Sequence, residues 1–167
     1  SSLIAVTDGG CLPKPNWLEE LVKPLNDNSS FSAVAGAFNI DYGNSFEYFS
    51  GTLCMPKDSG DAETRLFYGR NSAFRKTAWE AAGGYPEWLY TAEDTLFAQK
   101  FLQSKLLVAF APNAIISWRP RPTLRKFAKM FFLYGRGNGR IDNGDLQGTL
   151  YWLRYHILWI LLLIVGV

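Results

Sequence analysis

A short apolar run that stops at a glycine turn constrains the fold of this chain more than any other feature. Residues 2–7 read Ser-Leu-Ile-Ala-Val-Thr and end at Asp8 and two glycines, which predicts a buried strand with a carboxylate at its carboxyl end. Asn16, with Glu19 three residues later and apolar residues on one face, predicts a helix to about residue 26. A strand followed directly by a helix is typical of α/β sheets, whose carboxyl edge is the usual place for ligands.

Strand and helix patterns continue to alternate along the chain. Strands are predicted over residues 31–40, 106–111 and 114–118. Helices are predicted over residues 76–82, from Thr91 to about Ser104, and from Thr123 to the glycine-rich stretch that begins at Gly135. Thr91-Ala-Glu-Asp has the form of a capping box, in which the threonine caps the helix. The fold class that this alternation predicts is α/β.

The composition narrows the chemistry that the chain can perform. Its 167 residues include two cysteines, Cys11 and Cys54, and one histidine, His156. Two widely spaced cysteines form neither a disulfide framework nor a metal site, so we expect a reducing environment. A single histidine in an apolar stretch argues against catalytic triads and zinc sites. We therefore expect the chemistry to depend on carboxylates and cations.

The charges divide the chain into an acidic body and a basic segment. Residues 117–148, called the basic neck below, contain seven cations and no acidic residue before Asp142: Arg119, Arg121, Arg125, Lys126, Lys129, Arg136 and Arg140. Apolar residues of its helix alternate with these cations at helical spacing, which predicts an amphipathic interfacial helix. The largely apolar residues 149–167 then predict the start of a transmembrane helix, with a buried C-terminal helix as the alternative.

Two blocks of sequence carry a resemblance to a known family. The first, over residues 7–19, reads Thr-Asp-Gly-Gly-Cys-Leu-Pro-Lys-Pro-Asn-Trp-Leu-Glu. The second combines Gly-Arg-Asn-Ser-Ala-Phe-Arg-Lys at 69–76, Glu-Ala-Ala-Gly-Gly-Tyr-Pro-Glu at 80–87 and Glu-Asp-Thr-Leu-Phe at 93–97. Together they resemble the metal-binding strand end and the acceptor-side block of the family 2 glycosyltransferases with the GT-A fold. The resemblance covers about residues 3–140 and implies a partial GT-A domain with a mixed sheet, its acceptor side lying within residues 1–116.

The family resemblance implies an inverting transfer of a single sugar from a nucleotide-sugar donor to a hydroxyl group of a lipid-linked or nascent glycan. A carboxylate must take the proton of the attacking hydroxyl, and by resemblance Asp94 is this base, with Glu93 positioning the base or the acceptor. The leaving diphosphate must be neutralised by a divalent cation or by basic side chains. The Gln-x-x-Arg-Trp motif of processive relatives is absent, which favours the transfer of single sugars, a rhamnose-like one among them.

The resemblance also assigns the remaining site residues. Asp8 is expected to bind Mg²⁺ or Mn²⁺, because hard carboxylate oxygens suit these ions. Four residues are expected at the donor diphosphate: Asp8, Gly9, Gly10 and Arg136. Three are expected to bind the acceptor: Arg70, Asn71 and Trp88. Arg70 and Asn71 suit the donor pocket as well, and Trp88 offers a face on which a sugar ring can stack.

One position departs from the family pattern. Gly10 stands where the family commonly has the second aspartate of an Asp-x-Asp motif, so one metal carboxylate is missing. This keeps open an alternative function, a catalytically silent glycosyltransferase-like binding module tethered to the membrane. Five cations of the basic neck are expected to meet lipid headgroups: Arg119, Arg121, Arg125, Lys126 and Lys129. The expected location is the cell membrane, with the catalytic domain on the cytoplasmic side, and nucleic acid is not an expected partner.

Overall fold

The computed structural model describes residues 2–55, 59–67 and 69–141, and a five-stranded sheet forms its centre. The strands are β1 (Leu3–Thr7), β2 (Cys11–Pro13), β3 (Phe31–Ile40), β4 (Asn71–Arg75) and β5 (Leu107–Trp118). Their order is β1-β4-β3-β5-β2, with β3 and β5 parallel and the other neighbours antiparallel. The predicted α/β class and mixed sheet are confirmed.

Five helices accompany the sheet in the described part of the chain. They are α1 (Trp17–Asp27), α2 (Ser45–Cys54), α3 (Lys76–Ala81), α4 (Glu93–Gln103) and α5 (Leu124–Asn138). The helices predicted after Asn16, at Lys76 and after Thr123 are present, and the Thr123 side chain caps α5 as predicted. No element was predicted for α2, although the Asn44 side chain caps it by accepting a hydrogen bond from its first turn.

Two helix ends differ from the predictions. The capping box at Thr91 does not form, since α4 begins at Glu93 and its cap position is Ala92 in the left-handed conformation, with φ 69°. The Thr91 hydroxyl donates a hydrogen bond to the Leu133 carbonyl of α5 instead. The capping box predicted at Asn16 does not form either, since the Asn16 side chain makes no capping hydrogen bond. Helix α5 ends at Asn138, inside its glycine-rich stretch as predicted. At Thr91, a contact with the rest of the fold therefore outweighs local propensity.

The sheet separates two apolar cores, because side chains along each strand point alternately to opposite faces. Helix α1 covers one face, where the buried residues are Leu21, Leu25, Val34, Ala73, Ala109, Ala111 and Ala114. Helices α3 and α4 contribute to the core on the other face, which contains Ala33, Ala35, Phe67, Phe74, Ala78, Ala82, Phe97, Ala98, Phe101 and Val108. These two cores hold the strand ends, and thus the polar residues beyond them, in place.

The strands also differ in two respects from the predictions. β1 is half-exposed rather than buried, because among the described residues it is an edge strand that pairs with β4 alone. The two strands predicted at 106–111 and 114–118 are one strand, β5. Its pairing with β3 shifts register between Ala111 and Ile115, which marks an irregularity where the sequence suggested a break.

The basic neck begins inside the sheet. β5 crosses the predicted domain boundary after residue 116 and ends at Trp118. Arg119, whose predicted contact with lipid headgroups stays a prediction, forms an ion pair with Glu47 of α2, with 3.3 Å between Nε and Oε1. This pair ties α2 to the end of β5, so the start of the neck belongs to the folded body.

Helix α5 forms the rest of the described neck and exposes large apolar side chains: Leu124, Phe131, Phe132 and Tyr134. Within residues 2–55, 59–67 and 69–141, none of the helices combines the length and apolar character that crossing a bilayer requires. The transmembrane segment predicted at 149–167 lies outside the described residues. The amphipathic character predicted for the neck is thus present in α5.

Candidate active site

Asp8 and Arg70 meet at one edge of the sheet because of strand pairing. β1 and β4 are antiparallel with Thr7 opposite Asn71, so the residue after β1 lies near the residue before β4. β3 and β5 are parallel and end side by side at Ile40 and Trp118. The carboxyl ends of β1, β3 and β5 therefore share an edge, as the α/β prediction for Asp8 requires.

A cleft of about 510 Å³ opens at this edge. Asp8 and Arg70 line the cleft, and the first turn of α4 contributes Glu93 and Asp94. Helix α2 adds Leu53 and Cys54, and α5 adds Met130, Phe131, Tyr134 and Asn138. The cleft thus combines three carboxylates and a guanidinium with apolar walls, the composition expected of a small-molecule site.

Asp94 is held by backbone amides from two elements. Its Oδ2 accepts a hydrogen bond from the Gly69 amide at 3.3 Å, and its Oδ1 accepts one from the Thr95 amide at 2.8 Å. A Cβ added at Gly69 would lie 3.3 Å from the Asp94 Cβ, so a glycine permits this close approach. The carboxylate of Asp94 is consequently fixed between the turn before β4 and the start of α4.

Two carboxyl groups in the cleft, those of Asp8 and Glu93, have a raised pKa. Partial burial raises the pKa of Asp8; the Arg70 charge opposes this change, and the Asp94 charge adds to it. Burial also raises the pKa of Glu93, and the charges of Asp94 and Asp8 contribute. Acidic groups gathered in a cleft with perturbed pKa values are a feature of functional sites.

A divalent ion would find one clear ligand in this cleft. Among the described residues, no three His, Cys, Asp or Glu side chains lie close enough together to hold a metal ion. Mg²⁺ is commonly held by only one or two carboxylates, with phosphate oxygens and water completing its shell. Asp8 fits such a role, and Gly10 adds no side-chain ligand. The Mg²⁺ or Mn²⁺ site expected at Asp8 remains a prediction.

Arg70 lies against two aromatic rings inside the cleft. Its guanidinium carbon is 4.4 Å from the centre of the Trp118 ring and 5.7 Å from that of Phe38. Among the described residues no carboxylate forms an ion pair with it. Its charge affects the pKa of Asp8, Cys54 and Tyr134. The guanidinium is therefore oriented by stacking and available to an anionic ligand.

Tyr85 is a cleft residue that the sequence did not single out. Its ring packs edge-on against Phe97 with centroids 4.9 Å apart, and against Phe74. Its hydroxyl and that of Ser72 are both buried. Burial and the charges of nearby carboxylates raise the Tyr85 pKa. Tyr85 therefore adds an aromatic ring to the lining of the cleft near its acidic residues.

Asn71, predicted to bind the acceptor, is engaged in the fold instead. Its amide nitrogen donates to the carbonyls of Ala37 (2.7 Å) and Ala114 (2.9 Å), at the irregularity of β5, and its oxygen accepts from the Trp17 indole at 2.8 Å. A Cβ added at Gly36 would collide with it. The side chain is 1% exposed and is not part of the cleft lining. The structure therefore does not bring Asn71 to the cleft, because its amide group bonds backbone carbonyls and the Trp17 indole inside the fold.

Four other predicted site residues are not brought to the cleft lining: Gly9, Gly10, Trp88 and Arg136. The two glycines form the exposed turn between β1 and β2, and Trp88 is 61% exposed in the turn before α4. Arg136 is exposed on α5. Asp8, Arg70, Glu93 and Asp94 are the predicted residues that the structure does bring together.

Comparisons with known proteins give one distant similarity. No family model matches the chain. The chain is 25% identical over 140 residues to the O-antigen chain rhamnosyltransferase WbaN of Salmonella anatum, a match that covers 75% of this chain and 44% of that protein. The chain thus spans less than half the length of this curated relative. A glycosyltransferase is therefore a distant relative, and membership of family 2 stays a prediction.

Proposed function

We propose that this chain is part of a glycosyltransferase that moves a single sugar from a nucleotide-sugar donor to a hydroxyl group of a glycan or lipid-linked acceptor. The observation that carries the proposal is the meeting of Asp8, Arg70 and Asp94 in one cleft. The similarity to a rhamnosyltransferase supports the same reaction class. Nucleotide-activated rhamnose is therefore the first donor to test.

Asp94 would act as the general base. Two backbone amides fix its carboxylate, so an oxygen can receive the acceptor's proton while the acceptor oxygen attacks the anomeric carbon. The bond between that carbon and the phosphate oxygen breaks, and the nucleoside diphosphate leaves. Because attack is direct, the configuration at the anomeric carbon inverts. Glu93, beside the base in the cleft lining, would orient the acceptor hydroxyl.

Arg70 would serve the donor rather than the acceptor. The leaving diphosphate gains negative charge in the transition state, and a guanidinium binds phosphate oxygens in a bidentate manner. Stacking on Trp118 holds Arg70 beside Asp8 without an ion pair among the described residues. Asp8 would hold Mg²⁺ or Mn²⁺, which when bound supplies further positive charge to the diphosphate. Gly10 offers no second carboxylate to the metal ion. Arg70 would then provide positive charge that neutralises the diphosphate.

Helix α5 supports a membrane location for the whole protein. Large apolar side chains are exposed on it, and its first half carries Arg125, Lys126 and Lys129 without an acidic residue. Such a surface suits the headgroup region of anionic lipids. We propose that the catalytic domain lies on the cytoplasmic side of the cell membrane with this helix at the lipid surface.

The decisive experiment measures nucleoside diphosphate release and sugar transfer by the purified whole protein with a panel of nucleotide sugars. We expect Arg70→Gln to raise the donor KM by about tenfold or more, because a charged hydrogen bond to the diphosphate is lost. Arg140→Gln is the matched control, since Arg140 is exposed and outside the cleft lining. An unchanged donor KM in Arg70→Gln would contradict the donor role. Absence of turnover with every donor would favour the silent binding module.

A further inference from the structure

The start of α4 is held in an uncommon backbone conformation. Ala92 has φ 69° and is 9% exposed, and it directly precedes Glu93 and Asp94. The left-handed region is unfavourable for every residue with a Cβ, so the surrounding structure must hold Ala92 there. Strain of this kind clusters at functional sites. The contacts that hold Ala92 are therefore of interest for the two carboxylates that follow it.

Helix α5 makes two contacts with Thr91, the residue directly before Ala92. The Thr91 hydroxyl donates a hydrogen bond of 2.9 Å to the Leu133 carbonyl. Gly137, one turn further along α5, lies directly against the Thr91 backbone, and a Cβ added there would be 2.6 Å from the Thr91 carbonyl oxygen. Thr91 is thus bonded to one turn of α5 and packed against the next.

The glycine at position 137 is explained by this contact. A glycine weakens a helix interior, so α5 itself gains nothing from it. Gly135 in the same helix has open space where a Cβ would be, whereas Gly137 is buried against Thr91. Of these two glycines, close packing requires the missing side chain only at Gly137.

We propose that Thr91 and Gly137 form a clamp that positions the catalytic carboxylates. By docking α5 on Thr91, the clamp keeps Ala92 left-handed and thereby sets the direction in which Glu93 and Asp94 enter the cleft. Met130 and Tyr134 of α5 line the same cleft, so one docking event places both the carboxylates and the wall that faces them. Thr91 and Gly137 are positioning residues, and their effect on the reaction rests on the proposed function.

The first test compares two glycine variants of the whole protein. We expect Gly137→Ala to accelerate amide hydrogen exchange over residues 93–97 and to lower kcat about tenfold or more, with the donor KM little changed. Gly135→Ala introduces the same methyl group into open space two residues away. It should leave exchange, kcat and donor KM as they are.

The second test keeps the backbone free of new clashes. Thr91→Val has the shape of threonine without the hydroxyl, and Thr91→Ser keeps the hydroxyl. We expect Thr91→Val to accelerate exchange over residues 93–97 and to lower kcat severalfold, and Thr91→Ser to restore most of both. A role in stability alone would lower the melting temperature without this selective change in kcat.

The outcomes separate the clamp from the reaction. Equal exchange and equal kcat in wild type, Gly137→Ala and Thr91→Val would overturn the clamp and leave the proposed function standing. Two results together would support the clamp as a structural device and overturn the proposed function: faster exchange in these two variants, and a wild-type protein that transfers no sugar from any donor. A rise in donor KM without a change in kcat would also contradict the clamp.

Discussion

Two glutamates in different halves of this molecule, Glu47 and Glu93, have different surroundings and opposite pKa shifts. Glu47 is fully covered, accepts hydrogen bonds from the Gly43 amide and from Arg119, and has a lowered pKa, mainly because of the Gly43 bond. Glu93 lies in the cleft beside two further carboxylates, and its pKa is raised, mainly by burial. None of the described cations forms an ion pair with it.

The difference indicates which acid stabilises the fold and which belongs to a site. A buried carboxylate with matched donors contributes to stability and can be understood without a ligand. Carboxylates grouped without an ion pair oppose folding, and such local conflict is typical of functional positions.

The largest expected effect is on catalysis, from Asp94→Asn. Removing the base should lower the transfer rate about 10³-fold, within the range that general bases contribute. Donor binding, measured by titration with nucleoside diphosphate, should change little because Asp94 faces the acceptor in the proposed reaction. Glu47→Gln should keep the transfer rate of the molecules that remain folded. Near-normal turnover in Asp94→Asn would remove the distinction between the two acids.

The comparison also separates what sequence patterns could predict from what they could not. Asp8 was predicted because it follows a strand with a strong local pattern, at the edge where α/β sheets commonly bind ligands. The roles of Glu93 and Asp94 were assigned by the family resemblance. Arg70 was predicted by resemblance, and the register of β1 and β4 explains its place.

The roles that were missed depend on contacts between distant residues. The Asn71 amide bonds carbonyls that lie 34 and 43 residues away along the chain, and no local pattern indicates such partners. Tyr85 is in the cleft because Phe74 and Phe97 pack around its ring. Thr91 has the residue type of a cap, yet its hydroxyl bonds to α5, 42 residues later. Such contacts are decided by packing after the elements have formed.

A second prediction compares how the two glutamates affect the melting temperature at different pH values. The Glu93 pKa is raised in the fold, so its ionised form destabilises the protein above that pKa, and the effect vanishes below the usual value of 4.5. The Glu47 pKa is lowered, so its ionised form stabilises the protein above 4.5, and this is lost as pH falls through the lowered value. At pH 7 we therefore expect Glu93→Gln to melt higher than wild type and Glu47→Gln several degrees lower.

Both differences in melting temperature from wild type should become smaller towards acidic pH. As the pH falls, the difference for Glu93→Gln should decrease before that for Glu47→Gln. Lys76→Gln is a control for the loss of a charge pair, because the Lys76–Glu80 pair is 3.8 Å long and about half exposed. Such pairs contribute little, so its melting temperature should stay within about one degree of wild type. A lower melting temperature for Glu93→Gln at pH 7 would show that the cleft acids do not oppose folding.

The smallest expected effect extends the comparison from side chains to the backbone of α4. Ala92 and Lys105 flank the two ends of this helix, and both have positive φ, 69° and 55°. At the C-terminal end this conformation is the ordinary way in which a helix terminates. At the N-terminal end it has no such explanation, and it precedes the two carboxylates that we propose take part in the reaction. Glycine at either position should stabilise the protein by about 1 kcal/mol, because the penalty of a left-handed Cβ is removed.

The two substitutions should nevertheless differ in activity. Lys105→Gly lies at the end of α4 away from the cleft, so denaturant unfolding should show the gain in stability with an unchanged transfer rate. Ala92→Gly should show a similar gain together with a lower kcat, because a glycine before Glu93 lets the first turn of α4 leave the orientation that Ala92 and the clamp impose together. Equal activity in the two variants would mean that the left-handed residue at the cleft is only a helix end, like its counterpart at Lys105.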